Sequence, residues 1–320
     1  MPHNLLPLVP TDILKAHKVN EPTDTRFKAA ARLLRSLWRQ EKGLPIGMHR
    51  NPNGKRRKLG SRIDPQSGRQ GSNFLSLDIA KLALREMVYR ENGAMIDADR
   101  LWNNLLSSQP LCFNVFGNLK LDLAKASSFF RELLPDFVAS VEDIYFEHSP
   151  GRGDATYTED HTAFDVFVCC TTTDGFSGFV AIEVKYSETM AETPATVRPR
   201  HDELSAKVAL YRTPDAPGLR NAPLQQLWRE HLLSRSMIET GLYPKGRFVV
   251  IYPKQNNQCA SAVHAYQNQL VSEDPEESGF QAVTLDQCVE VFHAIGEHET
   301  ADAIHERYLD FGKVERAIFG

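Results

Sequence analysis

The chain has 320 residues, 42% of them hydrophobic and 24% charged, with a formal net charge of -4. This composition excludes a coiled coil, a collagen-like chain and a mainly disordered protein, and it leaves room for one large domain or two ordinary ones. The charge sum does not advertise a nucleic-acid binder, but it is uneven: residues 49–62, HRNPNGKRRKLGSR, hold six Lys or Arg and no acid, whereas 273–277 is acidic.

Residues 1–10 have no basic start and no long apolar stretch, so no secretory leader is expected. No apolar run approaches the roughly 20 residues of a membrane helix. Residues 25–40 show helical spacing, with Phe27, Ala30, Leu33, Leu34 and Leu37 on one face. The stretch 43–72, rich in Gly, Pro, Asn and basic residues, is expected to be a long loop. Helical patterns return at 76–92 and 97–106, and 105–116 is unusually apolar for a connection. Residues 119–141 are mostly helical, with Pro135 as the candidate break.

The period then changes. Residues 142–148, 162–172 and 178–187 are predicted strands, followed by a helix at 222–239 and a short apolar strand at 247–253. Helices at 257–270 and 285–293, a strand at 280–284 and a closing helix at 301–318 complete the chain. The order is α-β-β-β-α-β after a helical N-terminal third, which predicts an α/β fold with a mixed central sheet. The expected division is a helical N-terminal region, 1–117, carrying the basic loop 43–72, and a second domain, 118–320, with C-terminal helices. Five cysteines without CxxC spacing indicate a reduced, cytoplasmic chain. Cys112 has no basic neighbour in sequence and is expected in the core.

Chemistry concentrates in residues 146–188. On the third strand Val180, Ile182 and Val184 share one face, and Phe179, Ala181, Glu183 and Lys185 the other. On the second strand Phe164, Val166 and Val168 form the apolar set, with Asp165 opposite. A two-residue loop at Asp174-Gly175 would mismatch these faces. A three-residue loop, 174–176, or a bulge is therefore expected, pairing Asp165 with Lys185. Two carboxylates and a lysine at the strand ends suit a hard divalent cation that keeps several waters. Asp165 and Glu183 are the expected ligands of Mg²⁺, with Mn²⁺ as a substitute and a backbone carbonyl near Val184 as a third donor. Lys185 would orient or deprotonate the attacking water. An ion-pair cluster on an exposed sheet face is the plain alternative.

An acid on the second core strand followed by Glu183-Val184-Lys185 on the third resembles the PD-(D/E)XK nuclease superfamily. Phe164 stands where the family pattern has proline. The stretches RLWNNLLSSQPLCFNVFG, FEHSPGR, AFDVFV, IEVKYSE and QQLWREHLL resemble a bacterial restriction-endonuclease-like family within it. The resemblance implies a restriction-endonuclease-like core and metal-dependent hydrolysis of phosphodiester bonds, with DNA as the default substrate. It also implies a supporting glutamine on the helix after the third strand: Gln226, with Gln225 as its competitor.

Other residues fit supporting roles. Glu147 ends the first strand and is expected to point toward the metal, and Glu132 is a further candidate carboxylate. Arg152 follows a Pro-Gly turn and is a candidate phosphate ligand, as are Lys55, Arg56, Arg57 and Lys58 in the basic loop. His148, His161 and His231 lack metal-site spacing and are expected to be structural. The other readings are a non-cleaving nucleic-acid-binding or structural protein on the same fold, and a nuclease for RNA or single strands. A homodimer or a protein partner stays open.

Overall fold

The computed structural model describes residues 5–50 and 54–320. Residues 1–4, within the stretch for which no secretory leader is expected, and 51–53, within the predicted basic loop, lie outside the described residues. The N-terminal third comprises α1 (Thr11–Ala16), α2 (Arg26–Glu41), β1 (Ile46–Arg50), β2 (Arg56–Ile63), α3 (Pro65–Arg69), α4 (Leu77–Val88), α5 (Ala98–Asn103) and α6 (Ser108–Leu121). The middle contains α7 (Leu123–Leu133), β3 (Val138–His148), β4 (Phe164–Thr172), β5 (Ser177–Val184), α8 (Pro199–Lys207), α9 (Gln225–Glu239) and β6 (Lys245–Tyr252). Next come α10 (Asn257–Gln267), α11 (Pro275–Ser278), β7 (Phe280–Thr284), α12 (Leu285–Ala294), α13 (His298–Tyr308) and α14 (Gly312–Phe319). Among the described residues no helix is long and apolar enough to cross a membrane.

Local chemistry explains most boundaries. Thr25 caps α2 by accepting the Lys28 N–H, so the predicted helix appears nearly as drawn. Residues 119–141 are not one helix. Asp122 caps α7 by accepting the Lys125 N–H, α7 stops just before Pro135, and β3 starts at Val138. The closing helix is likewise two, because the chain turns at Leu309–Phe311 to seat Phe311 against Phe27.

Five strands form one mixed sheet in the order β3-β4-β5-β6-β7. The β3–β4 and β4–β5 pairs are antiparallel, whereas β5–β6 and β6–β7 are parallel. This is the predicted α/β architecture with its mixed sheet. The β4–β5 loop has the predicted odd length, but it spans 173–175. Thr172 and Phe176 close it, with the Thr172 N–H donating to the Phe176 carbonyl at 2.8 Å. Val166 then pairs with Ile182, which brings Asp165 opposite Glu183 and not Lys185.

Both sheet faces are covered, contrary to the exposed face that the ion-pair reading requires. Val166, Val168, Val180, Ile182 and Val249 pack with α2, α4, α6, α7 and α12. Phe164, Phe167, Phe179, Ala181 and Phe248 pack with Leu227 and Trp228 of α9 and with α10. Phe164 thus joins the second cluster and leaves the apolar set assigned to it from the sequence. The first cluster runs from Leu6 to Val314, and α6 crosses residue 117, so the N-terminal helices share one core with the sheet. Buried Arg35 of α2 and Arg307 of α13 lie against Trp38 and Tyr308, which ties the two ends of the chain together. All five cysteines are free, and Cys112 is buried as expected.

The stretch 43–72 is not a loop. It contains the antiparallel hairpin β1–β2, with Met48 opposite Lys58, His49 opposite Arg57 and Arg50 opposite Arg56. Its base rests on α2. A Cβ at Gly60 would lie 2.1 Å from the His17 carbonyl, so only glycine allows this approach.

Candidate active site

The sheet brings the acidic ends of β3, β4 and β5 to one edge, and the start of α9 packs across them. A cleft of about 290 Å³ opens there, with Glu147, Asp165, Glu183, Gln226 and Glu230 in its wall. A second cleft of about 270 Å³ shares the first four of these residues and adds Lys185.

The hydrogen bonds form a closed network. Lys185 Nζ donates to Glu183 Oε1 and to Gln226 Oε1, each at 2.7 Å. Gln226 Nε2 donates to Glu183 Oε1 at 2.8 Å and to Glu230 Oε1 at 2.9 Å. Two carboxylates therefore engage both amide protons, which leaves the Gln226 carbonyl facing Lys185. Asp165 Oδ2 accepts the Val184 N–H at 2.9 Å, which fixes one oxygen and directs the other toward the cleft.

Negative charge dominates this edge. Burial and the neighbouring Glu183 push the Asp165 carboxyl well above the usual carboxylate range. Burial and Glu183 do the same to Glu230. Glu147 is also raised, first by burial. Burial opposes the charge on Lys185, but Glu183, Glu230, Glu188 and Asp165 outweigh it and raise its pKa. Lys185 is thus held as a cation that donates to Glu183 and Gln226. Among the described residues no three His, Cys, Asp or Glu side chains form a ready-made metal cage. The donor set suits a hard cation bound through two carboxylates, Asp165 and Glu183, with water filling other positions. The excess negative charge is what such an ion would neutralise.

Glu147 sits at φ +52°, a conformation rare outside glycine. It is held there by the Met95 N–H on Oε1 at 3.1 Å and by Arg152 Nη2 on its carbonyl at 2.6 Å. Arg152 is therefore turned inward. It is 7% exposed and also donates to the His161 carbonyl, so it braces the loop and presents no free face to a phosphate. Gln225 exchanges two hydrogen bonds with the backbone of Ala195, leaving Gln226 as the glutamine in the site. Glu132 is exposed on α7 and lines neither cleft. His231 is buried between Tyr266 and the Ser278 carbonyl, and burial lowers its pKa to about 3. His148 pairs with Glu91, and His161 lies in the wall of the first cleft. Arg57 pairs with Glu21, whereas Arg56 and Lys58 are exposed; Lys55 is exposed beside them.

Two features were not anticipated from the sequence. Glu230 lies one helical turn beyond Gln226, is 3% exposed, and has an Oε2 with no partner. Its spacing, Gln226-x-x-x-Glu230, was the available signal. The second is a buried knot beside the cleft. Asp160 accepts from Thr158, Thr162, His201 and Arg229, which fastens the loop before β4 to α8 and α9.

An α-β-β-β-α-β frame with an acid on the second strand and Glu-x-Lys on the third defines a restriction-endonuclease-like nuclease core. The family model of the PD-(D/E)XK nuclease superfamily matches residues 22–310, and the chain belongs to that superfamily. No curated protein and no solved structure matches the chain.

Proposed function

We propose that this protein is a metal-dependent nuclease that hydrolyses phosphodiester bonds in DNA. The observation that carries the reading is the convergence of Asp165, Glu183, Lys185 and Gln226 at one cleft of the superfamily's frame. Asp165 and Glu183 would hold Mg²⁺ or Mn²⁺, which supplies neutralisation of phosphate charge and a more acidic bound water.

The chain's own groups do the rest. Lys185 donates toward the attacking water or a phosphate oxygen. Gln226 holds Lys185 and Glu183 at a fixed separation, so the donor needs little reorganisation during the reaction. Glu147 lines the same cleft, and its carboxyl, raised by burial, would ionise more readily beside such a cation.

The test offers the purified protein supercoiled, linear and single-stranded DNA and an RNA, with Mg²⁺, Mn²⁺ or EDTA. Metal-dependent cutting of DNA is expected. Cutting confined to RNA would replace the substrate, and metal binding without any cutting would favour a non-cleaving binding protein.

A further inference from the structure

Strands β1 and β2, which carry most of the basic segment, form a ribbon with two unlike faces. Cross-strand partners share a face, so Met48, Arg50, Arg56 and Lys58 project together. His49, Arg57 and Leu59 project from the other side. The second side faces the body: Arg57 pairs with Glu21, Leu59 is buried, and His49 and Leu59 line a groove with Lys28, Arg32 and Arg62. The first side faces solvent, with Met48 46% exposed and Arg50, Arg56 and Lys58 exposed beside it.

This outward face has a cost. Arg50 lies directly opposite Arg56, and like charges in that position destabilise a strand pair. Among the described residues neither of them, nor Lys58, has an ion-pair partner in this fold. The segment supplies no acid to relieve the repulsion. A polyanion relieves it. The groove beneath the ribbon, about 300 Å³, also includes Glu188 and Glu192, and both of these border the second cleft of the acidic site.

We propose that the β1–β2 ribbon docks duplex DNA in its major groove through Arg50, Arg56 and Lys58, with Met48 meeting base edges. A two-stranded ribbon fits the B-form major groove, whereas the major groove of an RNA duplex is too narrow to admit it. An apolar side chain among cations suits thymine methyl groups between phosphates. The proposal rests on the nuclease reading and narrows its substrate to duplex DNA, held beside the cleft by the ribbon.

The experiment measures binding by fluorescence anisotropy in EDTA, so it does not depend on cutting. The full-length protein meets a 30-base-pair DNA, the same sequence as duplex RNA, and single-stranded DNA, across a salt series. The Arg56→Ala/Lys58→Ala variant is compared with Arg57→Ala, whose side chain faces the body; melting curves check folding. Duplex DNA should bind tightest. The double variant should lower the salt slope by about 1.8, which is about 60-fold in affinity at 0.1 M salt. Arg57→Ala should leave the slope unchanged. Equal binding of duplex RNA, an unchanged slope in the double variant, or no DNA binding by the wild type would each overturn the proposal. Metal-dependent cutting alongside an unaffected double variant would sink the ribbon but leave the nuclease. Ribbon-dependent binding with no cutting of any substrate would do the reverse.

Discussion

Replacing Asp160 by Asn tests whether the knot beside the cleft holds α9 in place. Asp160 is 6% exposed. Its Oδ2 accepts from His201, from Thr162 Oγ1 and twice from Arg229, and its Oδ1 accepts from Thr158 and the Thr162 N–H. An amide does least harm with its NH₂ toward Thr158 and Thr162. The Thr158 hydroxyl can rotate to accept, but the Thr162 N–H cannot, so one buried donor is stranded at about 1–3 kcal/mol. The bonds from Arg229 also lose the benefit of an ionised acceptor. Together these give a loss of about 3 kcal/mol at pH 7 for Asp160→Asn.

The sign of the pH dependence follows from the same contacts. Burial alone would raise the Asp160 pKa, but His201, Arg229 and the threonines hold it far below the carboxylate range. Its stabilisation is complete above the unfolded pKa, about 3.9, and is lost as pH falls toward the folded value. Between pH 5 and pH 3 the wild type should lose about 1.2 kcal/mol that the Asn variant does not. Urea melts of both proteins at pH 7, 5 and 3 measure this directly. A gap that stays constant with pH, or one below about 1 kcal/mol at pH 7, would refute the reasoning.

Glu230 should separate stability from rate. Glu230→Gln keeps an acceptor for Gln226 and should cut within about threefold of wild type, whereas Glu230→Leu frees the amide and should slow single-turnover cleavage by about 10- to 100-fold. Because Leu replaces a buried carboxyl with an unpartnered oxygen, that variant should melt no lower than wild type; a slow Leu variant that also melts early would indicate simple damage to the fold. Phe129→Ala, in the cluster with Phe116, Phe130 and Phe292, should cost about 3–5 kcal/mol by chemical denaturation, and a loss below 1 kcal/mol would mean that this part of the core is loosely packed.

Period and turn chemistry made much of the fold legible. The change from helical to alternating spacing located β4 and β5, and face matching required an odd loop between them. The register still slipped by two residues, because Thr172 closes the loop on Phe176, a preference that a pattern of apolar faces does not encode. The β1–β2 hairpin escaped notice because its outward face is cationic and its alternation is not apolar against polar. The start of β3 was hidden by Phe137 and Val138, which continue the apolar pattern of α7. In the site, Asp165, Glu183 and Lys185 stood out as chemistry on strand ends. Glu230 did not, since an acid on a helix looks solvated until the helix is packed. Arg152 looked like a phosphate ligand because its carbonyl partners at Glu147 and His161 are set by loop geometry alone.

The most direct test of the central claim is the single-turnover cleavage rate of Lys185→Met and Asp165→Asn beside wild type, on the same duplex DNA with saturating Mg²⁺. Melting curves and DNA affinity in EDTA are measured for each protein. If the cleft is the hydrolytic centre, both variants fold and bind DNA as wild type does, and each loses at least about 100-fold in rate. Near wild-type cleavage by either well-folded variant would place the chemistry elsewhere and contradict the account.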